Sequence, residues 1–325
     1  DWSSDVCSSD LIILPYQTQK REPFHEKNQH LCQIITFSKS TSMKQISNYK
    51  AWAFCIAMLL TTTWLSAQTD TSIPKLIQKN GRYTLLVDNK PFFVLGGQCG
   101  NSSNWASMLP NVWNVMKEMH ANTLEIPVYW EQLEPQEGKF GFSQVQSVLN
   151  QARQNNMRLI FLWFATWKNG SNHYMPEWMK TDSKKYPNVI GKNGQEVDSP
   201  SPHCEEAMKA DAKAFARFMG YLKEADTQHT VIMVQVENEY GSFGIDKPYI
   251  AAIRDMVKQA GFTGVPLFQC DWNSNFENNA LDDLLWTVNF GTGANIDQQF
   301  ERLKELRPNT PLMCSEFWSG WFDHW

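Results

Sequence analysis

The chain has 325 residues, a formal net charge of −5, 19% charged and 13% aromatic residues, and 14 tryptophans. That length permits one large domain or two ordinary ones with an ample core. The mild negative charge comes without a basic stripe, which argues against nucleic acid as a partner. The seven cysteines form neither a Cys-x-x-Cys pair nor a zinc-type Cys/His spacing, so no metal, cofactor or disulfide framework is expected.

The first 42 residues read as upstream or artefactual translation. Asp1 to Leu11 resembles translated adaptor sequence, and Lys20 to Ser42 is polar and aperiodic. A basic segment then begins at Met43, an apolar run covers Ala51 to Leu60, and Leu65-Ser-Ala67 supplies small residues. That order is a leader with a cut after Ala67. Its apolar run is too short and too interrupted to span a bilayer, so the expectation is a secreted or periplasmic protein without stable membrane insertion.

The mature chain, 68–325, reads as one incomplete catalytic domain. A hairpin is expected from Arg82–Val87 and Pro91–Leu95, with turn residues between them. Strand and helix patterns alternate from there. Helical spacing covers 110–120, 143–155, 205–224, 249–260, 279–285 and 296–306; strands are expected at 123–129, 158–164, 230–236, 266–270, 286–290 and 311–315. Residues 166–202 read as one long loop. Counting the second hairpin arm gives seven strands, centred on Phe93, Leu124, Leu159, Val234, Phe268, Val288 and Met313. Such alternation with short connections implies a parallel sheet wrapped by helices. The fold class is therefore α/β, a (β/α)8 TIM barrel with seven of its eight strands in this chain. No Gly-x-Gly-x-x-Gly follows the first strand, against a dinucleotide fold.

Chemistry concentrates at two strand ends. Val231–Val236 is apolar enough to be buried on both faces, and it runs into Glu237-Asn238-Glu239. Carboxylates at the end of a buried strand are unfavourable unless something uses them, and in a parallel barrel that end carries the catalytic groups. Glu316 ends the seventh strand as Glu239 ends the fourth. Two carboxylates facing one aromatic-rich pocket suit glycoside hydrolysis, one as acid and the other supporting the oxocarbenium-like centre. A gap of about 5–5.5 Å would make the second a nucleophile and about 6.5–9.5 Å would admit a water. Trp130, Trp167 and Trp272 fall near strand ends, where they could stack on sugar rings or fill the core.

The segments Val234-Gln-Val-Glu-Asn-Glu-Tyr-Gly241 and Ser315-Glu-Phe-Trp-Ser-Gly-Trp-Phe-Asp-His-Trp325 resemble the catalytic segments of family 35 glycoside hydrolases, the β-galactosidase family. Glu134-Pro-Gln-Glu-Gly-Lys-Phe140 resembles a third family segment. The resemblance runs from about Lys79 to the end. It implies a TIM barrel with Glu239 as acid/base, Glu316 as nucleophile and Asn238 bonded to the sugar 2-hydroxyl, with Glu237 in support and Trp318 beside the nucleophile. The chain departs from the family at Pro127, Glu131 and Leu133, in Ala165–Gly170, and at Trp318, where Tyr is usual; these changes fall on sugar contacts and suggest a divergent bacterial branch. The expected function is release of terminal non-reducing β-galactose from an oligosaccharide or polysaccharide. Another exo-specificity (glucosidase, glucosaminidase, arabinosidase) and a non-catalytic carbohydrate-binding protein are the alternatives.

Overall fold

The computed structural model describes residues 73–101, 103–164, 174–190, 193–201, 203–239, 247–259 and 265–318. The leader expected over 43–67 and Trp167 lie outside these residues. The described residues belong to one compact unit.

The unit begins with a three-stranded antiparallel meander: β1 (Lys75–Lys79), β2 (Arg82–Val87) and β3 (Lys90–Phe92). Both of its turns have two central residues at positive φ, Asn80 (53°) with Gly81 (72°) and Asp88 (52°) with Asn89 (60°). This is the geometry that matches the twist of paired strands, and Asn, Asp and Gly reach it most easily. Thus β1 joins the expected hairpin as a third strand.

The barrel follows as β4 (Gly96–Gln98), α1 (Leu109–Glu118), β5 (Thr123–Tyr129), α2 (Trp130–Leu133), α3 (Ser143–Gln154), β6 (Arg158–Phe164) and α4 (Glu177–Lys180). A small hairpin, β7 (Asn188–Ile190) and β8 (Glu196–Pro200), precedes α5 (Glu205–Ala225) and β9 (Val231–Asn238). Next come α6 (Lys247–Gln259), β10 (Leu267–Asp271), a 3-10 turn at Asn273–Asn275, α7 (Phe276–Asn279), β11 (Leu285–Gly291), α8 (Ile296–Leu306) and β12 (Cys314–Trp318). Seven strands form one sheet in the order β12-β11-β10-β9-β6-β5-β4, and every pairing within it is parallel. This is (β/α)8 barrel architecture with seven strands among the described residues.

Four expectations are corrected. The first barrel strand is β4 and is not centred on Phe93, which is 82% exposed. Residues 90–92 are taken by the meander, and Gly96 can run beside β5 because a Cβ there would stand 3.2 Å from the Thr123 carbonyl oxygen. The stretch read as one loop contains α4, β7 and β8. The short helix expected at 279–285 lies earlier, at Phe276–Asn279, because Asp271 starts a turn directly at the end of β10: its Oδ1 accepts from the Trp272 N–H (2.8 Å) and from Asn275 Nδ2 (2.6 Å). Finally, β12 begins three residues later than expected, so Glu316 lies inside the strand.

Alternation divides the core into two layers. Leu124, Ile126, Leu159, Phe161, Trp163, Val234 and Val236 face the helices, packing with Leu149, Phe215, Phe218 and Leu222. Ile160, Leu162, Phe164, Ile232 and Phe268 face inward and meet Leu85 and Val87 of the meander. Ile160, Ile232 and Phe268 lie near the starts of their strands, so the meander plugs the N-terminal end of the barrel. The C-terminal strand ends form the other mouth, the face on which barrel enzymes carry their sites.

Candidate active site

At the C-terminal mouth the inward positions of β9 to β12 turn polar. Strand β9 ends at Asn238, 3% exposed, and Glu239, 6% exposed, follows with φ 53°. A glutamate in the left-handed region is a strained conformation, unfavourable by about 1–3 kcal/mol, and such strain collects at functional sites. The next strand holds it: the Glu239 N–H donates to the Cys270 carbonyl at 3.2 Å. Gln235 Nε2 donates to Asn238 Oδ1 at 3.1 Å, which fixes which end of that amide is its acceptor.

The next two strands complete the wall. Asn289 on β11 is fully buried, and its Nδ2 donates to Glu239 Oε1 at 2.7 Å. In the β11–β12 register Asn289 stands opposite Glu316, while Phe290 stands opposite Phe317. Phe290 and Phe317 pack outward, ring centroids 5.7 Å apart, within the cluster that holds Leu303 of α8. Neighbours in register share a face, so the half-buried Glu316 projects inward with Asn289. Trp272 is half-buried at the end of β10 and rims the same mouth. Asn238, Glu239 and Trp272 therefore gather at the C-terminal ends of β9 and β10, on the same wall as Glu316 within β12.

The cysteine thiols register the same field. Burial pushes the Cys314 thiol up to about 12, and the Glu125 and Glu316 carboxylates add to the effect. Burial also raises the Cys99 thiol, again helped by Glu125. Glu125 of β5 thus acts on residues near both edges of the strand order, which fits a sheet that curls back toward itself.

Other expected residues fall elsewhere. Trp130 is fully buried in the helix-facing layer, its Nε1–H donating to Glu134 Oε2 at 2.8 Å and its ring edge-on to Trp178 at 6.0 Å. A ring so enclosed has no face for a sugar, and the stacking role expected of it is corrected to one of core packing. Glu134 instead organises the loop after β5, its Oε1 accepting the Gly138 N–H at 2.6 Å. Glu237 and Trp318 belong to β9 and β12 by backbone, but their side chains, like Trp167, lie outside the described residues. Sequence reasoning missed Asn289, Thr287 and Ser315. For Thr287 and Asn289 the available signal was polar residues at alternate positions in an otherwise apolar strand, which period-2 alternation places on the interior face; Ser315 reaches that face beside Glu316 through the register shift between β11 and β12.

Among the described residues no group of three or more His, Cys, Asp or Glu could hold a metal ion, and no helix is long and apolar enough to cross a membrane. The site is built from carboxylates, amides and hydroxyls. Its sequence matches the pattern of Glycosyl hydrolases family 35 over residues 84–325. The chain belongs to that family. It is 32% identical over 249 residues to a beta-galactosidase of Xanthomonas manihotis, covering 73% of this chain and 38% of that one. It is 31% identical over 260 residues to a beta-galactosidase of Mus musculus, covering 75% of this chain and 37% of that one. The chain thus spans under two fifths of the length of these family 35 relatives. Among solved structures, an exo-beta-1,4-mannosidase from Opitutaceae bacterium strain TAV5 superposes with TM-score 0.52 at 13% identity, covering 70% of this chain and 46% of that one. At that identity the likeness concerns the barrel fold alone.

Proposed function

We propose that the protein is a retaining exo-β-galactosidase acting on the non-reducing end of an oligosaccharide or polysaccharide. The observation that carries this reading is the meeting of Glu239 and Glu316 on one wall of the mouth, with Asn289 bonded to the first and in register with the second. Galactose as the sugar is supported by the names of the family 35 relatives.

In this reading Glu316 attacks the anomeric carbon while Glu239 gives a proton to the departing oxygen, leaving a glycosyl ester on Glu316. Esterification removes the Glu316 charge, which favours the ionised form in which the first step leaves Glu239. Glu239 then takes a proton from water, and the resulting nucleophile opens the ester with overall retention. The first step requires Glu239 protonated; burial beside a second carboxylate favours that form. Asn238 holds the sugar 2-hydroxyl, a contact that tightens as the oxocarbenium-like centre develops. The resemblance gives Glu237 a supporting part, and Trp272, Trp318 and Trp167 are the candidates for stacking on the sugar.

The test is azide rescue. Glu316→Gly in the full-length protein should hydrolyse aryl β-galactosides poorly and form an α-galactosyl azide when azide is supplied. Glu239→Ala should give the β-azide. If neither azide forms, the double displacement through these two residues is wrong. A panel of aryl β-glycosides identifies the sugar, and preference for glucoside or arabinoside over galactoside would replace galactose in this reading.

Export belongs to the same proposal, carried by the basic segment, apolar run and small residues over 43–67. N-terminal sequencing of the protein recovered from the periplasm or medium should begin at Gln68. A product confined to the cytoplasm would sink it.

A further inference from the structure

Asn289 is joined to more than Glu239. Its Oδ1 accepts from Ser315 Oγ at 3.0 Å, and Ser315 Oγ lies 2.6 Å from Thr287 Oγ1. All three side chains are at most 3% exposed. Thr287 Oγ1 can also reach the Gln269 carbonyl, at 3.2 Å. Two hydroxyl protons serve three contacts: Ser315 Oγ donates to Asn289 Oδ1, and the Thr287 proton goes to Ser315 or to the Gln269 carbonyl. Donation therefore runs from Ser315 to Asn289 to Glu239, across β12 and β11. Turning the Asn289 amide over would set its carbonyl oxygen against the ionised Glu239 carboxylate.

We propose that Asn289 is a positioning residue that holds Glu239 Oε1 as a hydrogen-bond acceptor and so assigns the transferable proton to Oε2, with Ser315 holding the amide. The inference rests on Glu239 being the acid/base. A carboxylic acid can deliver its proton along the correct line only if the correct oxygen carries it, and the strained backbone at Glu239 leaves the side chain to be held by such partners. The neighbour is an amide. It can hold the oxygen without titrating, whereas a carboxylate in its place would repel the ionised form that Glu239 must adopt in the second step.

The experiment measures kcat/KM of the full chain on aryl β-galactosides ranging from dinitrophenyl to methoxyphenyl leaving groups. A good leaving group departs without a proton, whereas a poor one depends on the acid. Asn289→Ala should leave the dinitrophenyl substrate within about threefold of wild type and slow the methoxyphenyl substrate on the order of 10²-fold, the scale of a misplaced catalytic group. Ser315→Ala, which frees the amide to turn, should steepen the leaving-group dependence in the same sense by about tenfold. A residue that only supports the fold would lower all substrates alike, and a uniform loss in Asn289→Ala overturns the proposal. If Asn289→Ala does not fold, an unsteepened Ser315→Ala overturns it instead. Glu239→Ala in the same series separates the two levels. If that variant steepens and Asn289→Ala does not, only the positioning role falls; if it does not steepen, the acid assignment falls and takes the positioning role with it.

Discussion

The two walls of the barrel are built on opposite plans. Strands β5 and β6 pair residue for residue over seven positions without a shift in register, and nearly every side chain on them is buried. Their inward face near the N-terminal plug is mainly apolar, with Ile160 and Leu162 against Leu85 of the meander and the buried Glu125 as the exception. From β9 to β12 the pairings carry irregularities, between Phe268 and Gln269 and again between Val288 and Asn289. The inward face there carries Thr287, Asn289 and Glu316, preceded by a glutamate at positive φ. One wall maximises burial. The other accepts bulges, strain and buried polar groups to aim a few side chains at a point. Stability and chemistry are therefore separable in this molecule by strand, and substitutions on the two walls should give different kinds of loss.

The largest effect belongs to the polar wall. Glu316→Gly should lower kcat by 10⁴-fold or more, a value on the order of other lost nucleophiles. Its midpoint of thermal unfolding should stay near wild type, because the half-buried carboxylate is in no core cluster. A melting point that fell together with activity would erase the distinction between the walls. The converse experiment is Phe161→Ala on β6. Phe161 is 1% exposed, edge-on to Phe218 at 5.7 Å, and its loss should destabilise by about 3–5 kcal/mol. Urea unfolding measures this, and kcat per folded molecule should change little.

A subtler substitution on the same wall is Trp163→Phe. The Trp163 indole N–H donates to Asp211 Oδ1 at 2.9 Å, and Asp211, on α5, is 1% exposed. Phenylalanine keeps much of the ring contact with Phe215 and Phe218 but withdraws one donor from a buried carboxylate. The expected loss is about 1–3 kcal/mol, again in stability alone. An equal loss in Trp163→Phe and in Trp163→Phe with Asp211→Asn would show that the charge on Asp211 contributes nothing to it.

The contrast also explains what the amino-acid sequence disclosed. Strands β5 and β6 were legible to the residue, because continuous apolar runs bounded by polar turns have no competing reading. The candidate carboxylates were legible because charge at the end of such a run is conspicuous, and because the surrounding segments resemble known catalytic ones. What stayed hidden is what depends on pairing. Strand β4 is three residues, Gly96–Gln98, with no apolar signal, whereas the neighbouring Phe93 has one and lies exposed. Strand β12 is displaced because its register with β11 carries an extra residue, Ser315, a feature no single strand encodes. Trp130 misled for a related reason: nearness to a strand end gives the position of a residue but not the layer its side chain enters. Asn289 was passed over inside an apolar strand because a lone amide identifies no partner until β9 and β12 stand beside it.

The smallest expected effect tests whether the polar wall is marginally held. Helix α8 lies between β11 and β12 in the chain and covers their outer face through Leu303 and Phe300. Its N-cap is Asn295, whose Oδ1 accepts the Gln298 N–H at 3.1 Å. Asn295→Ala should remove about 1 kcal/mol, the usual worth of an N-cap, as read by a small fall in the urea midpoint. If helix α8 merely covers the sheet, activity per folded molecule will be untouched. If the bulged register between Val288 and Asn289 depends on that packing, kcat/KM for a poor leaving group will fall while an activated substrate is spared. Asn289 would then be displaced from Glu239 by a substitution that touches neither of them, and the two walls would differ in rigidity as well as in composition.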